Sequence, residues 1–386
     1  MEKMIKQTLR DTFEEIAVAL ETGSFGKKTR VGLTLLGSEH GPQELLKGAE
    51  MAQNQNADLE VVVIGHGVKT SLVLVEADDD EKAHQIMDTM LMSGELDAAV
   101  TLHYNFPIGI STVGRVITPG MGKEMLIGTT TGTSDTQRIA AMIKNTIGSV
   151  ATAKALGMPD PKVGILNIEG ARVVEKSLKK LQAAGYSISF TESARADGGV
   201  VMRGNDLLQG VPDIMVMDSL TGNVMMKMFS AYSTGGSYES LGFGYGPGVG
   251  EGQDRIIGII SRASGAPVVA NAIRYMASCA QGNLLGMIKN EFEAAKAAGL
   301  KEILDSLVAS EKSVSAQAKE VVCPPEKTCT ADIPGIEILD LEDAVHELWK
   351  AGIFASSGMG CTGPIVMMAE EDYEKSKVIL HEKGYI

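Results

Sequence analysis

"PDIMVMDSLTGNVMMKMF", residues 212–229, decides how the chain folds. Ile214 to Met217 form an unbroken apolar run. Asp218, Ser219, Thr221 and Gly222 interrupt it, and an apolar stretch resumes at Val224. Strands that alternate apolar and polar residues bury one face. A continuous run closed by turn residues is buried on both, as in a parallel sheet between helical layers. The segment therefore reads as strand, polar turn and helix, with Asp218 at the turn.

The same pattern recurs in both directions from it. "TRVGLTLLG" is a strand, "SEHGPQ" a turn and "ELLKGAEMAQNQ" a helix; "LEVVVIG", "DAAVTLH", "EMLIGT" and "PKVGILNIEG" are further strands with helices between them. Ser134 followed by Gln137 predicts a capping box opening the helix that runs to Gly157. "RIIGIISRASG" and "APVVANAI" continue the series, and a helix follows over about 282–298. These elements predict an α/β fold of three layers with a mostly parallel sheet, over residues 29–310. Residues 4–21 precede it, with Ile5, Leu9, Phe13, Ile16 and Leu20 at helical spacing. This amphipathic helix, within 1–28, is expected to pack on the domain. Residues 311–386 open with a linker-like stretch and end in a small α+β unit. There Asp340 precedes a helix, and the strand "AGIFA" leads into a loop "SSGMGCTGP" (356–364) carrying Cys361.

Composition narrows the function classes. The chain has 386 residues, 44% hydrophobic, and a formal charge of −14 from 49 acidic and 35 basic side chains. That balance repels phosphodiesters and anionic lipid, which argues against nucleic acid and membrane partners. No run reaches the roughly 20 apolar residues of a membrane span. The opening residues have no signal-peptide pattern, and four cysteines form no disulfide framework, so a cytoplasmic location is expected. "CPPEKTC" (Cys323 and Cys329) lacks zinc spacing and reads as a loop. No P-loop or dinucleotide fingerprint is present. The glycine-rich "GGSYESLGFGYGPGVGEGQDR" reads as a mobile loop or lid.

The chemistry is expected at the polar turns after the strands, lined up along the carboxyl edge of the sheet. "LGSEHGP" supplies His40, "LHYNFPIG" His103 and Asn105, and "GTTTGTSDTQR" Thr133 and Ser134 at a helix amino end suited to an anion. "DSLTGNVMMK" supplies Asp218, Thr221, Gly222, Asn223 and Lys227, donors able to hold a phosphate or acyl-phosphate oxygen. Asn167, in the turn after "PKVGIL", joins this candidate binding set.

"GSEHGP", "GELDAAVTLHYNFPIG", "PKVGILNIEG", "DIMVMDSLTGNVMMK" and "SGAPVV" occur in an order that resembles the acyl-phosphate:phosphate acyltransferases of phospholipid synthesis. The resemblance implies the isocitrate/isopropylmalate dehydrogenase-like α/β/α fold. With the amino-terminal helix and the "SSGMGCTGP" appendage included, the chain is similar over nearly its whole length to the alpha subunits of component C of the glycine/sarcosine/betaine reductase complex. That likeness implies release of acetyl phosphate by phosphorolysis of an enzyme-bound acetyl thioester. Cys361 would be the acetyl carrier and inorganic phosphate the co-substrate, with no cofactor and no metal. His40 or His103 could activate the thiol. The implied partners are a beta subunit of component C and selenoprotein A of the complex, with a homo-oligomer expected. A free-standing acyl-phosphate acyltransferase, a phosphate acetyltransferase and a non-catalytic structural partner remain open alternatives.

Overall fold

A computed structural model describes Lys6, Arg10, residues 12–14, 16–17, Leu20, 27–195, 198–316, 321–337, 340–360 and 363–386. In chain order the elements are β1 (Thr29–Thr34), α1 (Pro42–Gln55), β2 (Leu59–Gly65), β3 (Val73–Glu76), α2 (Asp80–Ser93) and β4 (Ala98–Thr101). Next come β5 (Ile110–Ile117), β6 (Glu124–Thr133), α3 (Arg138–Ala155), β7 (Lys162–Leu166), α4 (Ala171–Ala183), β8 (Ser189–Phe190) and β9 (Val201–Met202). They are followed by α5 (Gly204–Gln209), β10 (Ile214–Val216), α6 (Ser219–Ala231), β11 (Gly246–Val249), β12 (Ile257–Ile259), α7 (Ala266–Gln281), α8 (Leu284–Ala297) and α9 (Leu300–Ala316). The last are β13 (Ala331–Pro334), α10 (Leu341–Lys350), β14 (Ala355–Gly360), β15 (Gly363–Met368) and α11 (Tyr373–Glu382).

β1 to β12 form one sheet in the order β3-β2-β1-β4-β12-β11-β5-β6-β10-β7-β8, with β9 also on β7. Its inner strands are buried on both faces, as their continuous apolar runs require, while the edge strands β3 and β8 are partly exposed. Val61 and Val63 of β2 join the large cluster that includes Leu45 of α1, Ile143 of α3 and Val269 of α7. Val62 and Ile64 face Ala83 and Met87 of α2. β10 divides likewise, with Ile214 and Val216 on one side and Met215 against Met226 and Phe229 of α6 on the other. Helices therefore cover both faces, and the three-layer α/β/α expectation describes the molecule.

The expectation of a single carboxyl edge does not hold. β11 is antiparallel to both β12 and β5, and β5 is antiparallel to β6. β1, β4 and β12 consequently run opposite to β6, β10 and β7, and the two sets of carboxyl ends come together only where those of β4, β12 and β6 meet around one cavity. The reversal comes from elements the sequence concealed. β5 is absent from the strands predicted above. The expected lid contains β11, a central strand whose residues are all buried. Two local readings also change. α3 begins at Arg138 and is capped by Gln137, whose side chain accepts from the Ala140 amide, so Ser134 opens no capping box. Phe13, Ile16 and Leu20 of the amino-terminal helix are exposed, which is not the packing expected of them.

In the carboxyl-terminal unit β13, β15 and β14 form a separate three-stranded sheet. Asp340 occupies the cap position of α10 without a side-chain cap bond. The expected loop is mostly strand. β14 and β15 pair from Ala355↔Met368 to Gly360↔Gly363, and Cys361 with Thr362 lies outside the described residues. The unit meets the main sheet through Glu337, whose carboxylate accepts from the amides of Gly170 (2.8 Å) and Arg172 (3.2 Å) at the start of α4. Gly170, the cap residue of α4, has no side chain to satisfy those donors.

Candidate functional site

The site is organised around an irregularity in β6. Val113 pairs with Gly128 and Ser111 with Gly132, so Thr129, Thr130 and Thr131 stand opposite Thr112 alone. Hydroxyls tie this bulge down. Thr129 Oγ1 donates to Thr112 O (2.5 Å), Thr130 Oγ1 donates to Tyr245 O (2.7 Å), and the Thr131 amide donates to Thr112 Oγ1 (3.0 Å). Bulges re-aim the chain near functional sites, and here the bulge carries Gly132 to a position between two cavities.

The amino end of α6 packs on the bulge. Asp218 caps the helix by accepting from the Thr221 amide (3.0 Å), and Thr221 Oγ1 donates to the same carboxylate (2.8 Å). Gly222 is buried, and a Cβ there would lie 1.7 Å from Thr129 O. Asn223 Nδ2 donates to Thr130 O (3.2 Å). Only a residue without a side chain lets the helix approach this closely.

One cavity, of about 450 Å³, lies between the amino ends of α3 and α6 and is lined by Thr133, Asp135, Arg138, Asp218 and Thr221 among others. Arg138 donates to Glu169 (2.5 Å) and to Asp218 (3.0 Å). Burial raises the Asp218 carboxyl, but Thr221 and Arg138 more than reverse this, and it titrates below its ordinary value. Asp135 is set in the same way: burial raises it, while the Gln137 amide and Lys144 outweigh that and bring it down. Both are carboxylates at neutral pH. The Ser219 and Leu220 amides belong to cavity-lining residues in the first turn of α6, where an α-helix leaves donors without intrahelical acceptors.

The second cavity, of about 410 Å³, is lined by His103, Tyr104, Asn105 and Phe106 after β4. Thr131, Gly132, Asn223, Tyr245 and the run from Ile259 to Ser261 complete it. Lys227 reaches its wall, with Nζ donating to Ser261 Oγ (3.1 Å) and to Glu239 Oε1 (2.5 Å). His103 and Asn105 thus share a cavity with Asn223, while Thr133, Asp218 and Thr221 share the other. Gly222 lies at the helix–bulge contact.

The remaining candidates are placed differently. Ser134 is buried and donates to Ala141 O (3.1 Å) and to Asn145, a structural role. His40 is exposed, with its ring 5.2 Å from that of Tyr238, and Asn167 is exposed at the exit of β7. Neither is among the residues lining the two cavities. Cys361 lies outside the described residues. Arg138, Ser261 and Glu239 are not among the candidates the sequence suggests. Arg138 ends the quoted threonine-rich turn, whereas Glu239 carried no local signal.

The sequence model of the family described as "Fatty acid synthesis protein" matches residues 29–367. The chain is 57% identical over 382 residues to the glycine/sarcosine/betaine reductase complex component C subunit alpha of Peptoclostridium acidaminophilum, covering 99% of each chain. It is 23% identical over 240 residues to the phosphate acyltransferase of Geobacillus sp. (strain WCH70), covering 51% of this chain and 70% of that one. Among solved structures, a branched-chain phosphotransacylase from Enterococcus faecalis V583 aligns with a TM-score of 0.49 and 17% identity, over 65% of this chain and 99% of that one. Identity of this extent over the whole length, amino-terminal segment and terminal appendage included, places the chain in the fatty acid synthesis protein family, among the alpha subunits of component C of the glycine/sarcosine/betaine reductase complex.

Proposed function

We propose that this chain releases acetyl phosphate by phosphorolysis of an acetyl thioester. The observation that carries the reading is the pair of cavities meeting at Gly132, one set between helix amino ends and the other lined by aromatic and amide side chains. In the first, Arg138 and the first-turn amides of α6 hold inorganic phosphate; in the second, Asn105 and Asn223 orient the thioester carbonyl, with His103 beside it. A phosphate oxygen attacks the carbonyl carbon, and the resulting oxyanion is held by hydrogen-bond donors. The carbon–sulfur bond then breaks, and the proton of the attacking phosphate neutralises the departing thiolate. Gly132 suits the junction because its φ of +73° and the 2.7 Å from its would-be Cβ to Ile110 O leave no room for a side chain.

Cys361 is the proposed acetyl carrier, which the terminal unit anchored by Glu337 would present. A beta subunit of component C and the selenoprotein of the complex supply the acetyl group in this reading, in the cytoplasm, with the chain itself a homo-oligomer. The test is arsenate-dependent loss of acetyl phosphate catalysed by the purified full chain. The reading expects loss that depends on arsenate and disappears in Cys361→Ala. A free-standing acyltransferase would retain activity in that variant and turn over long acyl chains, and a scaffold would have no activity at all.

A further inference from the structure

Glu239 is fully buried, yet its carboxylate has a donor on each oxygen. Oε1 accepts from Lys227 Nζ (2.5 Å) and Tyr245 OH (3.4 Å), and Oε2 accepts from Ser264 Oγ (2.8 Å). A buried carboxylate is tolerated when paired and hydrogen-bonded in this way. The backbone joins the same unit, with the Glu239 amide on Ala263 O and the Gly265 amide on Glu239 O, both at 2.9 Å.

The network has a fixed polarity. A carboxylate only accepts and an ammonium only donates. Lys227 therefore donates to Ser261 Oγ (3.1 Å), and the Ala263 amide donates to the same oxygen (3.1 Å). Both acceptor positions of the Ser261 hydroxyl are then occupied, and among the described residues its proton has no acceptor. Ser261 lines the second cavity. We propose that Ser261 is a hydrogen-bond donor to an anionic oxygen of the substrate in that cavity, and that Glu239 is the positioning residue that holds the hydroxyl in the donating sense through Lys227. This deepens the phosphorolysis reading and rests on it for the identity of the oxygen, the oxyanion formed when phosphate attacks the thioester.

The experiment compares the full chain with Ser261→Ala, Glu239→Gln, the double variant and Ser264→Ala. It measures arsenolysis of acetyl phosphate together with mass-spectrometric labelling of Lys227 by an amine-reactive reagent. Loss of one oxyanion donor lowers kcat by about 10²-fold, so that drop is expected in S261A with the arsenate KM little changed. E239Q is expected to lose a similar factor, and the double variant no more than S261A, because both act through one hydroxyl. Lys227 labelling should rise several-fold in E239Q and remain at the wild-type level in S261A. S264A removes one donor to Glu239 and the acceptor of the Ser261 amide (3.1 Å) while keeping the charge, so it reports on the network if E239Q fails to fold; a kcat loss without a KM change is expected there too. Multiplicative losses in the double variant, or unchanged kcat in S261A, would overturn the proposal. If wild-type protein performs no arsenolysis, the functional reading fails and the proposed donor role with it. Increased labelling in E239Q alone would then establish only that Glu239 holds Lys227.

Discussion

Replacing Gly222 by alanine tests the contact on which the site is built. In an exposed helix the change would stabilise by about 1 kcal/mol, because alanine is the better helix former. Here the new Cβ would start 1.7 Å from Thr129 O, and real Cβ atoms essentially never come within 3.0 Å of such a neighbour. The obstacle is a backbone carbonyl in a strand and cannot rotate aside, so α6 has to retreat by at least 1.3 Å. Overpacking of this kind costs about 1–3 kcal/mol, and losing the Asn223–Thr130 hydrogen bond adds about 1 kcal/mol. A net destabilisation of about 1–3 kcal/mol remains after the propensity gain. The same retreat displaces Asp218, Thr221 and Asn223 from β6, and a misplacement of about 1 Å lowers turnover by about 10²-fold. Urea unfolding and arsenolysis of acetyl phosphate measure the two effects. Gly204→Ala is the control, because its new Cβ meets nothing within 4 Å. A G222A protein as stable and active as G204A would show that the Gly222–Thr129 approach does not set the position of α6.

Three further outcomes are expected. Arg138→Met removes the cation shared by Glu169 and Asp218, and steady-state kinetics should give an arsenate KM raised about tenfold, a loss typical of a charge-assisted contact. Asp206 is raised by burial but held below its ordinary value by the Arg203 and Ala194 amides and the Ser193 hydroxyl. Its stabilisation is complete above the unfolded carboxyl value of about 3.9 and is lost as pH falls through the lower folded value. Asp206→Asn should therefore melt below wild type at pH 6, with the difference shrinking below about pH 3.9 in thermal scans. Glu337→Ala should speed hydrogen exchange at the Gly170 and Arg172 amides by at least about tenfold, consistent with losing a charged acceptor worth about 1.5–3 kcal/mol; unchanged exchange would deny that Glu337 anchors the terminal unit.

The strand-turn-helix of β10 and α6 was legible because its signals are local: an apolar run, then an Asp-Ser-Leu-Thr-Gly turn whose aspartate caps the helix. β11 was not, because its glycines answer to distant neighbours. A Cβ on Gly246 would lie 1.7 Å from Val113 O, and one on Gly248 would lie 2.4 Å from the Phe106 ring. A run that reads as flexibility is in fact close packing at the centre of the sheet. With β11 and β5 hidden, the reversal of strand direction between the two halves could not be inferred. Ser134 follows a capping pattern, but its hydroxyl is used by Ala141 O and Asn145, one and two turns inside α3. Asp218, Thr221 and Asn223 were found because capping and turn chemistry marks them in sequence. Glu239 escaped because the partners that make it significant, Lys227 and Ser264, are 12 and 25 residues away.

Isotope exchange follows the transfer of the acetyl group itself. Purified chain is incubated with acetyl phosphate and labelled inorganic phosphate, with no other acyl acceptor. If the chain passes the acetyl group reversibly between phosphate and its own Cys361 thiol, label enters acetyl phosphate, and Cys361→Ser abolishes the exchange. Absence of exchange in the wild-type protein, or exchange that persists in the serine variant, would rule out Cys361 as the acetyl carrier.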